Sequence, residues 1–350
     1  MKNLWLGLTL IVAASAVLLI SDWSQRSSVG SLKRVAIVQH ASQAALDEGV
    51  AGILDGLAAH GFVDGKTVSI QRFNAENDLV TANAIARQVV SSNFDLVVTS
   101  STLSLQTIAT ANKDGKVKHV FGIVADPFSA GVGISRENPL NHPKYLTGIG
   151  SFVPVDRALK MAKDLYPGLK TVGLAWNAGE SNSAAFTMAT RAACKDLGLR
   201  LLEANAENTS GVLEAASSLV SRGADALFIT GDVTVMVAAD SVVSAAKRGR
   251  IPVFTIMPPN VKKGAIFDLG ANFHDVGVQV GELAAKVLNG TDPAAVPVLN
   301  VVPERLTVNK LAFAGLRDSW RMPQATLDHA EMIIDEQGEH KSAPARGASK

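Results

Sequence analysis

The 350 residues include a single cysteine, Cys194, so no internal disulfide and no multi-cysteine zinc or iron–sulfur site can form. Cys194 sits in the Ala-rich run Ala192-Ala193-Cys194, where it reads as a small buried residue and not a reactive thiol. Aromatic residues make up only 5% of the chain, too few for a stacking platform along single-stranded nucleic acid. Charge of either sign is not in excess, with 33 Lys and Arg against 32 Asp and Glu, and no basic patch stands out. No nucleic-acid partner is therefore expected. The seven histidines are scattered, without a His-Glu-x-x-His pair or a carboxylate–histidine cluster at ligand spacing, so no metal or other cofactor is expected.

Catalytic signatures are missing as well. Gly61-Phe62-Val63-Asp64-Gly65-Lys66-Thr67 is one residue short of a phosphate-binding loop and leads from helix into strand, the wrong way round. Gly131-Val132-Gly133 lacks the third glycine of a dinucleotide fingerprint. Gly179-Glu180-Ser181-Asn182-Ser183 occupies a strand-to-helix turn, yet ends in Ser where a nucleophile elbow needs Gly. Only His40, across a cleft, could serve Ser181 as a base. The chain is not expected to be an enzyme.

Several strong patterns are present. An uninterrupted apolar run from Leu4 to Ile20 follows Lys2 and is closed by Ser21, Asp22 and Arg26. Residues 1–30 read as a signal peptide or signal anchor, placing the remainder outside the cytoplasm. Val17-Leu18-Leu19-Ile20 continue past the small-residue site Ala14-Ser15-Ala16, which favours an uncleaved tether over a cleaved peptide. No Cys follows the run, which excludes lipid attachment at a mature N-terminal cysteine.

From Lys33 onward, short Val/Ile-rich runs (Val35–Val38, Val68–Ile70, Leu96–Thr99, Val120–Val124) alternate with Ala-rich amphipathic stretches. The scheme repeats at Val172–Ala175, Leu201–Ala204, Ala226–Thr230 and Val253–Ile256, then a strand at Gly264–Leu269 and a helix at Phe273–Leu288. Such alternation predicts parallel sheets covered by helices. The halves also align with each other: Lys33–Ile37 with Lys170–Leu174, Gly61 with Gly198, Leu96–Thr99 with Leu227–Thr230, and Val120-Phe121 with Val253-Phe254. Two similar α/β lobes follow, not one large sheet. Residues 322–350 are polar, and a disordered tail is expected there.

Ligands of open α/β sheets bind beyond the carboxyl ends of the strands, and here two such rims face each other. The segments leaving the strands carry His40, Asn74, Ser101, Thr102, Asp126, Asn182, Ser183 and Asp232, the eight candidate ligand-binding residues. Ser101-Thr102 and Asn182-Ser183 precede helices, where hydroxyls and free N–H groups suit a carboxylate or a phosphate; each could equally be a plain cap. Asp126 and Asp232 end apolar strands, where a carboxylate can hold an ammonium, with turn formation and helix capping as the competing roles. Together these groups suit a zwitterion such as an amino acid.

The ordered motifs Phe73-Asn74-Ala75-Glu76, Val124-Ala125-Asp126-Pro127, Glu180-Ser181-Asn182-Ser183, Gly231-Asp232-Val233-Thr234-Val235, Ile251-Pro252-Val253-Phe254 and Leu269-Gly270-Ala271-Asn272 carry a resemblance. Over about Lys33 to Leu316 the chain resembles the substrate-binding proteins of ABC transporters, in the family with members that bind tryptophan or tyrosine. The resemblance implies a type I periplasmic binding fold of two Rossmann-like lobes. Lobe 1 would comprise 31–151 plus about 272–298, and lobe 2 would comprise 152–271 plus about 299–321. It also implies a monomer that closes on a small molecule and delivers it to an inner-membrane permease. A sensory receptor signalling to another membrane partner is the alternative, and an enzyme using the same cleft a more remote one. Relatives often carry a polar pair after the Ile-Pro-Val-Phe strand. Met257-Pro258-Pro259 stands here instead, which leaves a more apolar or an altogether different ligand open.

Overall fold

In the computed structural model, residues 32–258 and 260–341 are described, together with Ser15. The apolar run at 4–20 (Ser15 apart), Pro259 and the last nine positions, 342–350, lie outside the described residues.

The elements run β1 (Lys33–Gln39), α1 (Ala44–Ala59), β2 (Val68–Asn74), α2 (Leu79–Ser91), β3 (Leu96–Ser100), α3 (Thr102–Ala111), β4 (Lys118–Val124) and β5 (Leu146–Gly150). Then come α4 (Val155–Leu165), β6 (Thr171–Trp176), α5 (Ser181–Asp196), β7 (Arg200–Asn205), α6 (Val212–Ser221), β8 (Ala226–Ile229), α7 (Val233–Val237) and α8 (Ala239–Gly249). The chain continues with β9 (Val253–Thr255), α9 (Asn260–Lys263), β10 (Phe267–Ala271), α10 (Phe273–Leu288), β11 (Leu299–Asn300), β12 (Glu304–Asn309), α11 (Gln324–Asp328), β13 (Met332–Asp335) and β14 (Gly338–Lys341).

These strands form two sheets, ordered β11-β5-β4-β3-β1-β2 and β14-β13-β12-β10-β9-β8-β6-β7. The first five strands of each half follow one plan, and the internal repeat extends to register. Val35 pairs with Ile70, and Val172 pairs with Leu201. Gly61 and Gly198, matched in the repeat, both follow helix ends at positive φ, +85° and +64°, where a Cβ would be strained. The result is a pair of Rossmann-like lobes, as expected.

The chain passes between the sheets after β5, after β10 and between β11 and β12. Helix α10 follows lobe 2 in sequence but packs on α1 of lobe 1. Their glycines make this possible: a Cβ at Gly52 would lie 2.0 Å from the carbonyl oxygen of His274, and one at Gly277 2.1 Å from that of Gly49. Between the lobes, Arg305 of β12 donates to Glu48 of α1 at 3.1 Å. Phe152 in the first crossing stacks on Phe186 of α5, with centroids 4.7 Å apart.

Two expectations need correction. Leu299 and Asn300 pair with β5, so the first lobe's sheet extends past 298. More substantially, residues 324–341 are not a disordered tail. After α11, β13 pairs with β12 and β14 closes a hairpin on β13, extending the second sheet. Ile333 is buried, and Lys262–Glu339 and Lys310–Asp335 ion pairs at 2.8 and 3.4 Å fasten the hairpin to the lobe. Three consecutive apolar residues, Met332-Ile333-Ile334, suffice because an existing sheet edge supplies the remaining bonds.

Candidate ligand-binding site

A chamber of about 40 Å³ lies where the strand ends of the two lobes meet. A second, more open cleft of about 750 Å³ is also lined from both lobes.

Lobe 1 contributes Gln43, Ser101, Thr102 and Ser151 as polar lining. Ser101 caps α3, accepting from Ser104 N at 3.1 Å, and its φ of +123° is a conformation normally left to glycine. Thr102 Oγ1 accepts from Ala125 N at 3.4 Å. Ile123, another lining residue, holds φ of +54° where β4 shifts register, an unusual state for a β-branched residue. Gln43 Oε1 is buried with no hydrogen-bond partner.

Lobe 2 contributes Asn182, which is buried and donates through Nδ2 to Gly231 O at 2.7 Å and to Glu180 Oε2 at 3.1 Å. Its Oδ1 is buried and unpartnered. Glu180 also accepts from Val233 N at 2.9 Å, Thr234 N at 3.0 Å and Thr234 Oγ1 at 2.6 Å. Beside it, Asp232 caps α7 by accepting from Val235 N at 2.7 Å, and takes Asn177 N and Ser183 Oγ at 2.5 Å each. Burial and then the charge of Glu180 push the Asp232 carboxyl up to about 7, against the three hydrogen bonds it accepts.

Apolar lining comes from Leu46, Ile123 and Phe273 on one side and Phe186, Val233, Met236 and Met257 on the other. Among the described residues, no Lys, Arg, Asp or Glu lines the chamber. Of Met257-Pro258-Pro259, Met257 places a flexible thioether in the chamber, and Pro259 lies outside the described residues.

Of the eight candidates, Ser101, Thr102 and Asn182 come together in the chamber. Ser183 and Asp232 lie behind its wall, bonded to each other. Asp126 is taken by an ion pair with Arg136 and by Phe128 N at 3.1 Å. His40 lines the second cleft with Glu180; burial lowers its pKa, partly offset by the Glu180 charge. Asn74 donates to Ser42 Oγ at 2.9 Å in a separate hollow on the flank of lobe 1. Sequence reasoning passed over Gln43, one residue beyond a strand-end segment, and Ser151 in the first crossing. It quoted Glu180 without giving it a role. Ser181 Oγ is buried without a partner, so no base is hydrogen-bonded to it. Burial pushes the Cys194 thiol up to about 11, an unreactive state.

Residues 34–319 match the family of ABC transporter substrate binding proteins. The chain belongs to this family. A tyrosine-binding protein of Clostridioides difficile is 28% identical over 290 residues, covering 83% of this chain and 82% of that protein. Two crystal structures superpose on 87% of the chain and all of their own. A conserved domain protein from Vibrio cholerae has a TM-score of 0.82 at 28% identity. An ABC domain in complex with L-Trp from Streptococcus pneumoniae has a TM-score of 0.81 at 26% identity. The lobes are thus those of a type I periplasmic binding protein. Substrate-binding proteins of ABC transporters work outside the cytoplasm, taking a small molecule to a permease. No helix among the described residues is long and apolar enough to cross a membrane.

Proposed function

We propose that this substrate-binding protein is a monomeric, non-catalytic receptor of an ABC importer that closes on an amino acid with an apolar side chain. The observation that carries the reading is the pair of buried, unpartnered amide oxygens, Gln43 Oε1 and Asn182 Oδ1, brought to one chamber by opposite lobes. Two bare acceptors in an apolar enclosure call for a donor, and an ammonium can serve both at once. The ligand carboxylate goes to Ser101, Thr102 and the first N–H groups of the ten-residue helix α3. Its side chain lies against Leu46, Val233, Met236 and Met257.

Amide oxygens thus replace the carboxylates expected from the sequence, because Asp126 and Asp232 already serve donors of the chain itself. A ligand bridging Gln43 and Asn182 binds the closed state better than the open one, and that difference drives closure. At about 40 Å³, where one water takes about 10–15 Å³, the chamber must widen for an amino acid. The thioethers of Met236 and Met257 are the parts best able to yield. The apolar run at 4–20 would tether the receptor beside its permease.

Calorimetry of the wild type and of Asn182→Leu against a panel of amino acids tests this. We expect one or more apolar amino acids to bind and the variant to bind them at least about tenfold more weakly. Equal affinity in the variant, or no binding by the wild type, would reject the assignment.

A further inference from the structure

Glu180 does not line the chamber, yet its hydrogen bonds fix what the chamber can recognise. The Asn182 amide has two N–H donors and one acceptor oxygen. One donor goes to Glu180 Oε2 at 3.1 Å and the other to Gly231 O at 2.7 Å. Both of those atoms are acceptors only. Turning the amide over would set Asn182 Oδ1 against a carboxylate and a carbonyl, two repulsive contacts in a dry site. The unpartnered oxygen is therefore held on the side of the amide away from Glu180 and Gly231 O, in a residue that lines the chamber. Glu180 is held in turn: it is 5% exposed, and its two oxygens take Val233 N, Thr234 N and Thr234 Oγ1 besides Asn182. No rotation that keeps those donors would release the Asn182 amide.

We infer that Glu180 is a positioning residue that locks the Asn182 amide with its oxygen toward the chamber, so that lobe 2 accepts an ammonium and rejects a ligand lacking it. This rests on the amino-acid reading above and deepens it. The carboxylate stands one hydrogen bond behind the amide. From there it polarises the amide toward a stronger acceptor and adds negative potential to a chamber with no charged side chain in its lining among the described residues. In Glu180→Gln the group behind Asn182 is neutral and can present an N–H₂, so the Asn182 amide is free to turn its nitrogen inward.

The test uses the full chain and two readouts. In the first, affinities are measured for amino acids and for the same skeletons without the α-ammonium: L-valine with 3-methylbutanoate, L-tyrosine with 3-(4-hydroxyphenyl)propionate, L-tryptophan with indole-3-propionate. The ratio of the two affinities in a pair that binds should fall at least about tenfold in Glu180→Gln. Loss of both affinities in proportion would mean that Glu180 only supports the fold, and would overturn the inference. The second readout needs neither ligand nor variant. With asparagine side chains labelled with nitrogen-15, the Asn182 NH₂ hydrogens of the wild type should exchange with solvent at least about tenfold more slowly than those of an exposed asparagine. Exchange as fast as an exposed side chain would overturn the inference. Slow exchange with no amino acid bound would leave the lock in place and reject the amino-acid reading alone.

Discussion

The two walls of the chamber are held in place by different means. On lobe 1, Ser101 and Ile123 keep backbone conformations that their side chains disfavour, and packing around them enforces the geometry. Ile123 is pressed against Gly49, where an added Cβ would lie 2.7 Å from its side chain. On lobe 2 the backbone is ordinary and the geometry comes from two buried carboxylates, Glu180 and Asp232, each saturated with donors. One wall stores about 1–3 kcal/mol per strained residue. The other bears the cost of burying two ionisable groups away from water, a cost that shows in the raised Asp232 carboxyl. Removing a group should therefore have opposite effects on the two sides: relief on lobe 1, collapse on lobe 2.

The largest effect is expected at Asp232. Asp232→Ala leaves Asn177 N, Val235 N and Ser183 Oγ without their acceptor in a dry interior. A loss of about 3 kcal/mol or more in urea unfolding should result, and a loss under about 1 kcal/mol would show the network to be dispensable.

Next comes pH. The Asp232 carboxyl, at about 7 in the folded chain against 3.8 ordinarily, keeps a proton that the unfolded chain has released between those values. Its contribution to stability is full below about pH 4 and is lost as the pH rises toward 7, by up to about 1.4 kcal/mol per unit. Asp268, wholly buried in β10 and raised chiefly by burial, acts with the same sign. Unfolding curves from pH 4 to 8 should slope less steeply for Asp232→Asn than for the wild type; identical slopes would remove Asp232 as a cause.

The smallest effect sharpens the contrast. Ser101→Gly relieves the strained φ and costs only a few tenths of a kcal/mol in capping, so a net gain of about 1 kcal/mol is expected. Thermal unfolding measures it, and a clear loss of stability would mean that the Ser101 backbone is not strained.

Much of this arrangement was legible in the residues. Val/Ile runs between Ala-rich stretches gave the strands, and the internal match anticipated two similar lobes, whose β1–β2 and β6–β7 pairs prove to share a register. Reading the strand ends reached Ser101, Thr102 and Asn182, since chain direction alone sends those segments to the cleft. It did not reveal which polar groups the chain itself would use. Asp232 was weighed as a ligand group or a cap, and the capping bond is present. Glu180 meets Val233 across 53 positions of sequence, a partnership no local pattern encodes. The C-terminal hairpin escaped notice because its three apolar residues mean little until a sheet edge stands beside them.

The glycine contact between α1 and α10 has a mechanical consequence. Where two helices meet through side chains, one can slide or roll by exchanging rotamers, and a small displacement dies out within a few residues. Here a carbonyl of one backbone occupies the place where the other would carry a Cβ, leaving no soft layer to absorb movement. In the closure proposed above, lobe 1 would travel as a stiff plate, with the bending left to the three crossings between the sheets. A shift of an ångström at the chamber would reach the outer rim as a larger swing. The message that a ligand has arrived would thus leave the protein as leverage.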